Sequence, residues 1–166
     1  MTEESFTLTV NTRAFQATMI GTVVLMLKCY FSFTMIGAYR VKSGGRPPED
    51  EALFKDAGKQ DFLGNSKKFK DDKRATRAQE NTTRASRIAM NDLEVIPIGL
   101  IMGWASILSP RSSAQSHVYL MVIFTLARCG HTWSYSNSRQ PSRAIFWFAS
   151  VLCVFGFAIN GVWGCL

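Results

Sequence analysis

Four apolar stretches, 14–39, 95–108, 115–133 and 144–163, divide the chain, and each carries its polar punctuation at one end. The first closes on Arg40. The second opens with Arg84, Arg87, Asn91, Asp92 and Glu94 before turning apolar. The third ends in Arg128, His131 and Tyr135, and the fourth opens with Arg143. A bilayer core of ~30 Å needs roughly 20 helical residues. The first and fourth stretches meet that length. The third does so when Arg128 and His131 are accepted near its end, and the second when its polar opening at 84–94 is counted. The pattern predicts an all-α protein, an integral membrane four-helix bundle. It reads as a single domain over 1–166, with helices over about 12–40, 84–108, 115–134 and 143–163 and a loop over 41–83. The alternative is a soluble all-α protein with buried core helices. Successive spans alternate in direction, so end, start, end and start all fall on the same membrane face.

Charge sets the expected orientation. The net +7 is concentrated between Arg40 and Arg87, where 13 Lys/Arg face 8 Asp/Glu. Basic loops stay cytoplasmic, so the 41–83 loop and the 134–143 turn are expected to face the cytosol, with both termini opposite. The N-terminus, Met-Thr-Glu-Glu, is acidic and shows no signal-peptide pattern, which leaves the first stretch as a signal-anchor helix. Nothing resembles a groove-reading element, so no nucleic-acid partner is expected. Cys29, Cys129, Cys153 and Cys165 have no disulfide or zinc spacing and read as small packing residues. No metal-ligand cluster is expected, since His117 and His131 each stand alone.

Between the first two helices the chain reads as surface. Gly44-Gly45 and Pro47-Pro48 lead into alternating Lys and Asp through 67–73. Leu53, Phe54, Phe62 and Leu63 are candidates to dock on the membrane surface or a neighbouring helix. Ser109-Pro110 ends the second helix, because proline lacks the amide needed to continue it. Pro97 lies inside that helix and is expected to kink rather than stop it. Ser142 is a candidate cap for the fourth helix.

Arg84, Arg87, Asn91 and Glu94 are spaced three, four and three apart, and Arg128, His131 and Tyr135 three and four apart. Each set therefore lies on one helical stripe. A charge near the bilayer centre costs about 2.5–3.5 kcal/mol on insertion scales, so such groups face a protein interior or a wet cavity. Facing a common interior, Arg128 and Glu94 are expected to pair. Several arginines with one carboxylate suit a small anion bearing carboxylates, because guanidinium binds them bidentately. Glu94 serves either as an arginine partner or as acceptor for a ligand ammonium. No nucleophile with an attached base is present, so any chemistry must come from the ligand. Glutathione fits, with two carboxylates, an amine and a thiol whose thiolate form a nearby Arg⁺ favours.

The segment RIAMNDLEVIP, together with RCGHTWSY, PSR and a PPED after the first helix, resembles the MAPEG family of membrane-associated proteins in eicosanoid and glutathione metabolism. The resemblance covers roughly 25–163, with an enlarged first loop. It implies four-helix subunits in a homotrimer, with glutathione bound between adjacent subunits near the cytosolic face. It further implies glutathione contacts from Arg40, Arg87, Asn91, Glu94, Arg128, His131 and Tyr135, with Arg143 stabilising the thiolate. The prostaglandin E synthases of the family carry Arg-Ser at the fourth-helix start and an Arg before Asn-Asp; here Arg143-Ala144 and Met90 stand there. Arg-Ala and an apolar residue before Asn are similar to the microsomal glutathione transferases. Glu51 replaces the electrophile-sensing cysteine that follows Pro-Glu-Asp in mammalian members of that branch, and Ala89 replaces a histidine.

The function so implied is a glutathione transferase with glutathione peroxidase activity, acting on hydrophobic electrophiles or lipid hydroperoxides that arrive through the bilayer. The implied membrane is that of the endoplasmic reticulum, with the mitochondrial outer membrane as an alternative. The rivals are a glutathione-dependent prostaglandin E or leukotriene C synthase and a non-catalytic, lipid-presenting relative. Each site residue also has a plainer reading: Arg143 as an interfacial arginine, Arg128 and Glu94 as a structural ion pair, Asn91 as a helix–helix hydrogen bonder. Tyr135 and Trp133 suit an interfacial aromatic belt, and Phe146, Trp147 and Phe148 suit lipid-facing or intersubunit packing.

Overall fold

A computed structural model describes residues 10–57, 59–62 and 73–166. Leu63 and the basic run 67–72 lie outside the described residues. Among those described, four long helices form and no strand: α1 (Thr12–Ser43), α2 (Lys73–Leu108), α3 (Ala114–Ser136) and α4 (Ser142–Cys165). α1, α2 and α4 are long and apolar enough to cross a membrane. α2 already starts at Lys73 rather than at 84. Its added turns are polar, with Ala75, Ala78, Thr82 and Ala85 buried at helical spacing. The helix runs on through Pro97.

The described chain divides into two compact units, the residues up to Leu27 with Asp92–Leu166, and Lys28–Asn91. In the first, the core centres on Leu25, Met121, Phe124 and Phe157, all fully buried. Phe124 meets Phe157 edge-on at 6.1 Å. Lipid is as apolar as these side chains, so close packing rather than water exclusion holds such helices together. Small residues permit it: Gly99 lies under the Phe124 ring, Gly130 under Phe146 and Gly156 under Leu120. α3 and α4 run antiparallel. Arg111 N–H donates to the Gly164 carbonyl at 3.0 Å at one end, while Phe146 covers Gly130 at the other.

Helix ends are set locally. Asn11 caps α1, its Oδ1 accepting from Arg13 N (3.0 Å) and Ala14 N (3.3 Å). Ser113 caps α3, accepting from Ser116 N at 3.3 Å. Ser142 does not cap α4. It is the first helical residue, and its hydroxyl donates to the Arg139 carbonyl at 3.3 Å. Thr18 and Thr22 turn their hydroxyls onto Ala14 and Thr18 carbonyls, at 2.8 and 2.7 Å, which keeps polar hydrogens satisfied within an apolar stretch.

A polar chain ties together all four helices of the first unit. Thr18 of α1 bonds His117 Nε2 of α3 at 2.7 Å, and His117 Nδ1 meets Ser106 of α2 at 3.4 Å. Asn160 of α4 donates to Ser106 Oγ at 2.9 Å, and its Oδ1 accepts from Ser113 N at 3.0 Å. His117, Ser106 and Thr18 are fully buried.

In the second unit, α1 ends on a left-handed Gly44 (φ 69°). Gly45 N donates to the Arg40 carbonyl (2.9 Å) and Gly44 N to that of Val41 (3.3 Å), the paired bonds of a Schellman stop. Arg40 and Lys42 occupy the last turn, where cations complement the helix dipole. Short 3-10 turns follow at Pro48–Ala52 and Lys55–Ala57. Arg46 bridges Asp50 at 3.3 Å and covers the Phe54 ring at 4.9 Å, while Leu53 and Phe62 stay exposed.

Candidate functional site

The turn from α3 to α4 fixes the candidate site in the first unit. Asn137 N donates to the Trp133 carbonyl (3.1 Å), Ser138 N to Tyr135 (3.2 Å) and Arg139 N to Ser134 (2.9 Å). Ser138 takes a positive φ of 56°, which turns the chain tightly enough to set the start of α4 beside the end of α3. Arg143 thereby stacks its guanidinium on the Tyr135 ring, 4.6 Å from the centroid. The other side of that residue meets His131, whose ring lies 5.8 Å away edge-on. Arg143, Tyr135 and His131 thus form one contiguous cluster. Arg143 and Tyr135 are half-buried and His131 is buried. Gln140, with its amide oxygen turned inward, accepts from Arg143 Nε at 3.2 Å. Such a cluster offers a fixed cation at a surface that solutes can reach.

One turn deeper on α3, Arg128 is completely buried and ion-paired to Asp92 of α2. The expected Arg128–Glu94 pair is not formed. Asp92 shares the inward stripe of α2 with Ile96, Gly99 and Gly103, spaced four, three and four. Glu94, two residues on, is rotated about 200° around the axis and is exposed. Asp92 is the residue that spacing arguments missed, although its phase with Ile88 and Ile96 marks it as inward-facing. His117 was likewise missed as the centre of a polar tie, because its partners Thr18 and Ser106 come from two other helices.

Arg40, Arg87 and Asn91 belong to the second unit. Arg40 and Arg87 are exposed and Asn91 is half-buried. Arg84, Arg87, Asn91 and Glu94 recur along α2 at intervals of three, four and three residues. Trp133 is half-exposed under Arg139, 4.5 Å from the ring centroid, and Trp147 and Phe148 are exposed beyond Arg143. None of the four cysteines is in a disulfide.

The fold and this constellation define a class: helical membrane proteins that gather arginines, a histidine and a tyrosine at the ends of their spans. Comparison with protein families makes the class specific. The MAPEG family model matches residues 18–163, nearly the whole chain, and the chain belongs to the MAPEG family. It is accordingly an integral membrane protein of a family that includes glutathione-dependent enzymes. No curated protein matched it individually.

Proposed function

We propose that the chain is a membrane-bound glutathione transferase, with peroxidase activity toward lipid hydroperoxides. The observation that carries this reading is the Arg143–Tyr135–His131 cluster. It places a stacked, positionally fixed guanidinium beside exposed aromatic surface at Trp147 and Phe148. Glutathione supplies the nucleophilic sulfur. Arg143 lowers the energy of the negative charge on that sulfur, a stabilisation needing no reorganisation because Tyr135 already holds the guanidinium in place. Arg40, Arg87, Asn91 and Glu94, with His131 and Tyr135, hold the peptide, while the buried Arg128–Asp92 pair fixes α3 against α2. Arg40, Arg87 and Glu94 are exposed in the single chain, as a ligand shared between copies in a homotrimer requires. The hydrophobic electrophile reaches Arg143 along the apolar start of α4, where Ile145, Trp147 and Phe148 are exposed. The site then faces the cytosol from the endoplasmic reticulum membrane.

The test is conjugation of glutathione to a chlorinated aromatic acceptor by detergent-purified protein, followed across pH. Arg143→Ala is expected to leave glutathione affinity within about tenfold while turnover falls about a hundredfold or more. Unchanged turnover in that variant would remove Arg143 from the mechanism. Absence of any glutathione-dependent activity or stabilisation in the wild type would favour a non-catalytic member of the family.

A further inference from the structure

The first unit holds a second polar concavity, remote from this cluster. The starts of α1 and α3 enclose a cavity of about 410 Å³ lined by Asn11, Arg13, Ala114, Gln115, Val118 and Tyr119. Along α3, His131 lies sixteen residues beyond Gln115, about 24 Å at 1.5 Å per residue. The cavity therefore sits toward the opposite membrane face and shares no residue with the proposed glutathione site.

Its polar lining offers donors. Gln115 Nε2 donates to Tyr119 Oη at 3.4 Å, so the phenol keeps its own proton to give to a third group. Asn11 Oδ1 is committed to the backbone of Arg13 and Ala14, which leaves its NH₂ as the available face. Arg13 is exposed, and no ion pair to it appears among the described residues. Among the described residues, no carboxylate lines the cavity. A guanidinium flanked by a phenol and two carboxamides is a phosphate-binding set, since arginine engages phosphate oxygens bidentately.

The wall of the cavity continues as an apolar track. Val118 and Ala114 line it, and Tyr119, Val122, Ile123 and Leu126 follow on α3, all four exposed and recurring at helical spacing. A polar donor pocket at the mouth of an exposed apolar stripe fits an amphiphile with an anionic head. The volume is within the usual range for small-ligand sites, about 300–1,000 Å³.

We propose that this cavity binds a phosphate group, and that the source is the head group of an anionic phospholipid whose chain lies along the α3 stripe. Arg13, Gln115 and Tyr119 take the phosphate, and Val122 and Leu126 the acyl chain.

The experiment compares full-length protein in neutral detergent, wild type against Arg13→Gln, in native mass spectrometry and thermal unfolding. The probes are phosphatidylglycerol, phosphatidylcholine and inorganic phosphate. Phosphatidylglycerol is expected to stay bound to the wild type and raise its melting temperature, as mass action on the folded state requires. Arg13→Gln should weaken that binding about tenfold or more, with its lipid-free melting temperature and its glutathione conjugation unchanged. If that variant is not recovered folded, Tyr119→Phe, which keeps the charge and removes one donor, reads the same interaction as a smaller loss. Equal retention of phosphatidylglycerol by the variants, or equal binding of phosphatidylcholine by the wild type, overturns the proposal. Stabilisation by inorganic phosphate equal to that by phosphatidylglycerol supports the phosphate chemistry and overturns the lipid as its source.

Discussion

Asp92 and Arg128 face each other across α2 and α3 with both side chains shut away from solvent. Two residues further along α2, the carboxylate of Glu94 is exposed. Neighbouring acids on one helix thus divide the work: one neutralises a buried cation, and the other remains available to a ligand.

Asp92→Asn should therefore destabilise the protein by about 3–5 kcal/mol, because it removes the counter-charge of a buried guanidinium. Replacing both partners, Asp92→Leu with Arg128→Leu, should recover much of that loss, since an apolar pair of similar volume removes both desolvation costs. Glu94→Gln should leave the melting temperature unchanged while weakening glutathione binding. Thermal unfolding with and without glutathione separates these effects, and a Glu94→Gln protein that melts like Asp92→Asn would contradict the division.

Tyr135 should act on turnover through Arg143. Tyr135→Phe keeps the ring beneath the guanidinium and should keep kcat close to wild type, with the loss of its hydroxyl contact to the peptide read as a rise in KM for glutathione. Tyr135→Leu removes the face and should lose about 0.5–2 kcal/mol of positioning, read as a fall in kcat. Paired with Arg143→Ala, the second substitution should add little further loss, because the two residues act as a unit.

Glycine substitutions probe the helix contacts. At Gly164 an added Cβ meets the Ser112 backbone N at 2.6 Å and its Cα at 2.9 Å, atoms that cannot swing aside. Gly164→Ala should cost about 1–3 kcal/mol through overpacking. Gly37, whose Cβ position is open to 4 Å, is the control. Its replacement by Ala should be neutral or stabilising by up to about 1 kcal/mol. Melting temperatures of the two variants check the contrast.

His117→Leu should destabilise by about 1–3 kcal/mol by leaving Ser106 and Thr18 without their ring partner. Hydrogen exchange should quicken first at the start of α3 and the end of α4, with the amides around Arg128 affected last.

Much of the architecture was legible because bilayer thickness constrains sequence so strongly. Runs such as 144–163 announce a span without any tertiary information, and α4 forms over Ser142–Cys165. The start of α2 was hidden because its first turns, rich in Arg and Gln, carry no apolar run. Only the small residues Ala75, Ala78 and Ala85 mark their buried face. Stripe logic placed Arg128, His131 and Tyr135 together, and the turn chemistry that brings Arg143 onto Tyr135 follows from Ser138 and its neighbours. The same logic mispaired Arg128, because helical spacing says which residues share a face and not which face points inward. That phase had to be read from Ile88 and Ile96, which bracket Asp92 at four-residue intervals.

The bonds through His117 fasten Thr18, Ser106 and Asn160 at a single level of the bundle. Such bonds tolerate little sliding. Moving any one rod axially by a turn, ~5.4 Å, would part the bonds it makes, so the vertical register of every helix is keyed at that end. Eleven residues further along α3, about 16.5 Å, the hydrogen-bonded Arg128–Asp92 pair adds a second directional tie between α2 and α3.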